Sequence, residues 1–188
     1  MRVVKWFVIA LALVPAAVAG AADLAIRAAT VYPVSGPPIS DGIVLVEDGR
    51  IAWVGPASDS RIPDGVEVLQ AVAVTPGFID VHSVVGLAGV YNSSEGQVQD
   101  QDQLETSDPV QPELRAVDAY NAREPLIDWL RSLGVTTLHT GHGPGAVISG
   151  QTLIAKTSGE TVDEAVVRPA VAVAATLGSG MASDFKSP

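Results

Sequence analysis

The sequence predicts a β-rich N-terminal domain, sandwich-like or a β-meander, followed by the first strands and helices of a (β/α)8 TIM-type barrel that this chain leaves incomplete. Short apolar runs separated by turn residues fill residues 22–73, as expected for an all-β segment. From Val74 a near-continuous apolar run opens a β, loop, α, β order. A barrel needs about 250 residues, and fewer than half of these follow Val74. The predicted domains are therefore 22–73 and a truncated barrel over 74–188.

Residues 1–21 are typical of a secretory signal peptide. A basic start at Arg2 and Lys5 precedes an apolar run and then small residues. Two overlapping small-x-small patterns predict that the mature chain begins between Gly20 and Ala22. An uncleaved membrane anchor is the alternative, but the apolar run is shorter than the ~20 residues that span a bilayer. We therefore expect a secreted or periplasmic protein with no stable membrane span after cleavage.

Charge and cysteine content exclude several classes of function. The formal net charge is -10, and loss of Arg2 and Lys5 with the signal lowers it to -12. No stretch combines clustered Lys and Arg with aromatic residues, so nucleic acid is not an expected partner. The chain has no cysteine, which excludes disulfides, thiolate nucleophiles and Cys-ligated zinc. Any metal must be held by histidine and oxygen ligands.

Four strands are predicted in the β-rich segment. Asp48-Gly49 separates two apolar runs and is a strong hairpin signal. The predicted strands cover residues 24–31, 42–47, 50–54 and 66–72.

The predicted barrel begins with a strand over Val74 to Val85, whose apolar run indicates burial on both faces in a parallel sheet. Residues 86–112 then form a long, polar loop in which the acidic run from Glu95 to Asp108 has no basic residue. A solvated loop above the barrel mouth is the default interpretation, and a substrate lid is the alternative.

A helix and further strands follow this loop. Residues 121–133 show a helical apolar stripe, with Pro125 near the first turn and Gly134 as the stop. A short strand over Val135 to His139 comes next. The glycines of residues 141–145 predict a tight turn, since no Lys-Ser/Thr follows at the spacing of a phosphate-binding loop. Further strand or loop is expected over 146–156, a helix over 162–167 and a strand over 171–175.

Three motifs, in the same order as in a known family, give a resemblance that covers nearly all of the chain after the signal. Residues 76–82, Pro-Gly-Phe-Ile-Asp-Val-His, resemble the amidohydrolase signature Pro-Gly-apolar-Ile-Asp-x-His-x-His. Residues 42–55 resemble the family's N-terminal hairpin, and Gly134-Val135-Thr136-Thr137 resembles the start of its second barrel strand. The glycine-rich segment 143–151 is similar to that of imidazolonepropionase-like members. The chain is thus identified as similar to the N-terminal part of an imidazolonepropionase-like amidohydrolase.

The resemblance implies a metal-dependent hydrolase that acts on the carbon–nitrogen bonds of a small molecule, such as an amide or cyclic amide. His-x-His at the end of a barrel strand directs both imidazoles inward, because side chains alternate along a strand. A divalent metal, zinc in the first instance, then activates water and polarises the carbonyl. In this sequence His82 is the implied metal ligand. Asp80, two residues before His82, is expected on the same face of the strand, where it would orient an imidazole or line the barrel interior.

The signature departs from the family at its last position. Val84 stands where the second histidine is expected, and valine does not bind metal. Ser83 does not compensate, because it faces the opposite side of a regular strand. His139 and His142 lie at the C-terminal end of the second barrel strand, and His139 is the candidate replacement ligand. The alternative is that both are polar residues of the barrel rim or a loop.

Two rival interpretations stay open. One is a metal-deficient, non-catalytic binding protein on the same scaffold, since function resides in the site rather than in the fold. The other is a chain that is no functional unit by itself. Unpaired strand edges and exposed apolar surface would then favour aggregation or pairing with another copy. A homo-oligomer is therefore a form of association to be tested.

Overall fold

The computed structural model describes residues 22–59, 62–87, 105 and 107–177. The predicted signal peptide over residues 1–21 and most of the acidic loop lie outside these ranges. Within them, no helix is long and apolar enough to cross a membrane. The chain divides into two compact units between Pro76 and Gly77, and each is described by itself.

The first unit is a single four-stranded sheet in the order β3-β2-β1-β4. Its strands are β1 (Ala22–Val31), β2 (Ile39–Glu47), β3 (Arg50–Pro56) and β4 (Val68–Val74), and a 3-10 turn covers Ala57–Asp59. Strands β1 to β3 form an antiparallel meander, while β4 pairs parallel with β1. All four predicted strands are present. The sandwich prediction is wrong for the described residues, which form one sheet and not two.

Alternation along the strands gives this sheet an apolar cluster on each of its faces. Asp48 and Gly49 both have positive φ, 50° and 68°, as a tight hairpin turn between twisted strands requires. One cluster is built on Ala25, Ile43 and Leu45, and the other on Ala28, Val31 and Val44. The β2 residues 43–45 are therefore buried on both sides, which explains why the Gly-Ile-Val-Leu-Val run lacks polar residues.

The second unit contains a β/α/β unit followed by shorter strands. Its elements are β5 (Phe78–Ser83), α1 (Ala116–Ala119), α2 (Pro125–Ser132), β6 (Val135–Thr140), β7 (Ile148–Gln151), β8 (Leu153–Lys156), α3 (Val162–Ala165), β9 (Val166–Arg168) and β10 (Val173–Ala175). One sheet has the order β5-β6-β8-β9, and β7 pairs with β10 in a second, two-stranded sheet. Only β5 and β6 run parallel, while β8 and β9 continue antiparallel.

The helices are shorter than the sequence pattern predicts. Helix α2 begins at Pro125, because the residue before a proline is excluded from helical backbone and Glu124 is extended. It ends before Gly134, whose φ of 89° stops the helix as predicted. The predicted helix over 162–167 becomes α3 followed directly by β9. Helix α1, a single turn, was not predicted, since four residues are too few to show a periodicity.

The prediction that the strand from Val74 is buried on both faces is wrong for the described residues. Phe78, Ile79 and Val81 are 61%, 64% and 72% exposed. The reason is that β5 is an edge strand here, with β6 as its one neighbour. The barrel is likewise not closed within the described ranges, which supply its β5-α2-β6 unit alone.

The titratable side chains of Tyr120 and Glu124 are both buried in the second unit. Tyr120 and Glu124 are 5% and 3% exposed and lie beneath the turn that follows β5, where the Gly86 N–H donates to Glu124 Oε2. Neither the Tyr120 hydroxyl nor Glu124 Oε1 has a partner among the described residues. Burial raises the pKa of Glu124, and burial together with the Glu124 charge raises the pKa of Tyr120 to about 12. Both groups therefore favour their neutral forms.

We predict that Gly86→Ala destabilises the fold more than Gly134→Ala. Both glycines have positive φ, 93° and 89°, which costs other residues about 1 kcal/mol. A Cβ at Gly134 would meet the Phe78 ring at an ordinary 3.5 Å, whereas one at Gly86 would overlap the Tyr120 ring. Urea unfolding should give a loss of about 1 kcal/mol for Gly134→Ala and at least about 2 kcal/mol for Gly86→Ala. Equal losses would contradict this placement of Tyr120.

We predict that Glu124→Gln makes the stability less sensitive to pH. A folded-state pKa above the unfolded value of 4.5 stabilises fully below that value, and the stabilisation is lost as pH rises through the folded pKa. The amide keeps an acceptor for the Gly86 N–H and carries no charge. Urea unfolding at pH 4 and pH 7 should show the variant gaining on the wild type at the higher pH. An identical pH dependence for the two proteins would refute a buried Glu124 with a raised pKa.

Candidate functional site

A cavity of about 380 Å³ lies where β5 and β6 end. All three histidines of the chain line it, and the segment 172–177, which contains β10, forms another wall. The remaining lining residues are small or hydroxyl-bearing: Ser83, Thr140, Gly141, Gly143, Pro144, Ser149 and Thr152. No Asp, Glu, Lys or Arg is among them. The described wall therefore offers imidazole and hydroxyl groups but no fixed charge.

His82 is exposed at the end of β5, and its imidazole makes no hydrogen bond to another described residue. The Asp80 carboxylate accepts a hydrogen bond from the backbone N–H of His82 at 3.1 Å. Asp80 thus fixes the main chain at His82 and does not contact the imidazole or line the cavity. The sequence placed both residues on one face of a regular strand, and their proposed metal and supporting roles stay predictions.

Strand β5 is not regular at this point. Asp80 pairs with Leu138 and Ser83 pairs with Thr140, so three steps along β5 correspond to two along β6. This is a β-bulge at Val81 and His82, and a bulge changes the direction of side chains. Ser83 and His82 both line the cavity, and the Ser83 hydroxyl accepts a hydrogen bond from the Val85 N–H at 3.1 Å. Val84, at the position of the missing histidine, follows the strand and is not among the lining residues.

His139 lies opposite the bulge and is bonded through both ring nitrogens. Its Nδ1 is 3.1 Å from the carbonyl oxygen of Val81, and its Nε2 is 2.7 Å from Thr152 Oγ1. A metal at either nitrogen would have to displace one of these partners. The structure thus places His139 near the end of β6 and in the cavity wall, with both ring nitrogens hydrogen-bonded.

His142 lies in the turn after β6, as the sequence indicated. Both of its ring nitrogens are buried without a partner among the described residues, and so is the hydroxyl of Ser149. Burial lowers the pKa of His142, which favours the neutral ring at neutral pH. A neutral imidazole has one donor and one acceptor, so this corner of the cavity has unused hydrogen-bonding capacity.

The described residues do not form a metal site by themselves. They contain no group of three or more His, Asp or Glu side chains placed to hold one ion. His82 is the one histidine with an accessible, unbonded imidazole, and a structural or catalytic zinc takes three or four protein ligands.

Several residues of the site were missed by sequence reasoning. Thr152, which contacts His139, and the buried Ser149 lie in a segment predicted only as strand or loop. The strand over 171–175 was predicted, yet its place in the cavity wall was not. Pairing of β10 with β7 brings it there, and neither short strand has a pattern that specifies its partner.

The chain is similar in sequence to curated imidazolonepropionases. It is 44% identical to that of Micrococcus luteus over 54 residues, which are 29% of this chain and 13% of the relative. It is 27% identical to that of Streptomyces griseus over 132 residues, 67% of this chain and 34% of the relative. The chain therefore spans about a third or less of these relatives. No family model matches it.

A solved structure shows the same relationship at the level of the fold. An amidohydrolase from Thermotoga maritima superposes with a TM-score of 0.71 at 28% identity, covering 84% of this chain and 39% of that protein. The superposed region thus extends over most of the chain, beyond the short motifs in which the sequence resemblance was noticed. The sequence relatives and the fold together support an amidohydrolase superfamily member.

Proposed function

We propose that the protein containing this chain hydrolyses carbon–nitrogen bonds of a small amide or cyclic amide. The observation that carries the proposal is the position of His82, unbonded and facing a cavity where two parallel strands end. Enzymes with (β/α) barrels place their reacting groups at this end of the strands. The named relatives are imidazolonepropionases and an amidohydrolase, which supports the same class of reaction.

Within this reaction the described residues bind and orient the substrate. The cavity wall has hydroxyl and imidazole groups for hydrogen bonds and apolar side chains from residues 172–177 that exclude water. A wall without fixed charge suits an uncharged amide better than a charged one, because it supplies no counter-ion for a buried charge. The proposal includes a divalent metal, zinc in the first instance, with His82 as one of its ligands. Its remaining ligands would lie outside the described residues.

A non-catalytic binding protein on the same scaffold is the second candidate. The observations that favour it are Val84, which replaces a histidine of the family signature, and the lack of a three-ligand cluster among the described residues. Such a protein would bind a small molecule in the cavity without metal. A homo-oligomer, suggested by unpaired strand edges, stays a prediction for either candidate.

We predict that the purified protein contains a bound divalent metal and that His82→Ala removes it. Elemental analysis should give at least one equivalent for the wild type and background levels for the variant, because histidine is a direct ligand. Hydrolysis of a panel of small amides and cyclic amides should fall about 100-fold or more. Glu113→Ala, an exposed position that does not line the cavity, is the control and should change neither quantity.

A wild-type protein without metal or hydrolysis would decide for the binding candidate. In that case Val84→His provides a second comparison. If Val84→His binds a divalent metal and the wild type does not, the site has lost its second ligand.

We also propose that the protein is exported, on the basis of residues 1–21. Expressed in a bacterial host with an intact secretion pathway, it should appear in the periplasm or the medium. N-terminal sequencing should give a start between Gly20 and Ala22. A cytoplasmic protein that retains Met1 and the apolar segment would overturn this.

A further inference from the structure

The bulge in β5 leaves backbone groups that the strand ladder does not pair in the regular way. One extra residue lies between the pairs Asp80 with Leu138 and Ser83 with Thr140, so Val81 and His82 together face His139. A bulge of this kind interrupts the ladder and needs other donors for its carbonyl groups. The side chain of His139 supplies one of them.

The His139 ring bridges β5 to the start of β8. A carbonyl oxygen only accepts, so His139 Nδ1 carries the hydrogen that it donates to Val81 at 3.1 Å. At the other end of the ring, Nε2 lies 2.7 Å from the hydroxyl of Thr152, whose own N–H donates to the Ala172 carbonyl at 2.8 Å. The Val81 carbonyl therefore fixes the hydrogen on Nδ1, and the neighbours on both sides fix the position of the ring.

These bonds hold the main chain on either side of His82. The carbonyl before it, that of Val81, accepts from His139, and the Ser83 carbonyl after it accepts from the Gly141 N–H at 3.2 Å. The N–H of His82 itself donates to Asp80. Among the described residues the imidazole of His82 has no hydrogen-bond partner, and His82 lines the cavity.

We propose that His139 is a positioning residue, which acts through the Val81 carbonyl to hold the bulge that turns His82 into the cavity. His139 is then not a replacement for the ligand missing at Val84, because ligation would require it to release Val81 or Thr152. The functional meaning of this arrangement rests on the proposed role of His82. The arrangement itself does not, and it is testable without metal or substrate.

NMR of the imidazole nitrogens tests the first half of the proposal in the wild-type protein. The chain has three histidines, so each ring can be assigned by single substitution. His139 should carry hydrogen on Nδ1, and nuclear Overhauser contacts should connect the His82 ring to residues that line the cavity. A neutral His139 with hydrogen on Nε2 alone would overturn the proposal, whatever the behaviour of any variant.

Two isosteric variants separate the two bonds of His139. The amide nitrogen of His139→Asn occupies the place of Nδ1 and keeps the donor to Val81, whereas His139→Gln places its amide near Nε2 and keeps only Thr152. Thr152→Val removes the second partner at constant shape and is the control for general loss of stability. The His82 contacts should persist in His139→Asn and Thr152→Val and disappear in His139→Gln.

The same variants give a kinetic readout. Misplacement of a reacting group by about 1 Å lowers rates about 100-fold. His139→Gln should therefore reduce kcat about 100-fold more than His139→Asn does, with little change in KM. Unchanged His82 contacts in His139→Gln, or equal loss in both variants, would overturn the positioning role. If the contacts change as expected in a protein without hydrolase activity, the proposed function fails and the positioning role stands.

Discussion

The parallel pairing of β5 with β6 is the constraint on which the second unit depends. It places the ends of two strands side by side, and the cavity lies at that edge. Helix α2 makes the connection and packs Ile127 into the same apolar cluster as Leu138 of β6. Because Leu138 of β6 belongs to this cluster, the strand that pairs with β5 at the cavity is anchored in the core.

Hydrogen bonds also attach the turn after β5 to the core of the second unit. The Thr140 hydroxyl donates to the Val85 carbonyl at 2.7 Å, and Gly86 donates to the buried Glu124. A buried carboxyl group with one oxygen that lacks a partner among the described residues costs stability. Here the segment that it holds begins two residues after the bulge, which links the buried Glu124 to the geometry of the site.

The sequence predicted most strands and the order of elements, because these depend on local signals. The signals are the alternation of apolar and polar residues along a strand and the turn-forming pairs Asp-Gly and Pro-Gly. It did not predict the bulge, since two residues opposite one partner leave no trace in the pattern of apolar residues. The hydrogen-bond partners of His139 depend on that bulge and were therefore missed. His82, which the family signature singled out, lines the cavity, and its role as a metal ligand stays a prediction. Motif spacing alone does not show that both ring nitrogens of His139 are hydrogen-bonded to neighbours.

The central claim is that a bulge opposite His139 presents His82 to the cavity. It is tested most directly by NMR couplings through hydrogen bonds, which identify the carbonyl that accepts the Gly141 N–H. The bulged register predicts a coupling to the carbonyl carbon of Ser83. A coupling to His82 instead would mean that β5 pairs with β6 in regular register, and it would contradict the account.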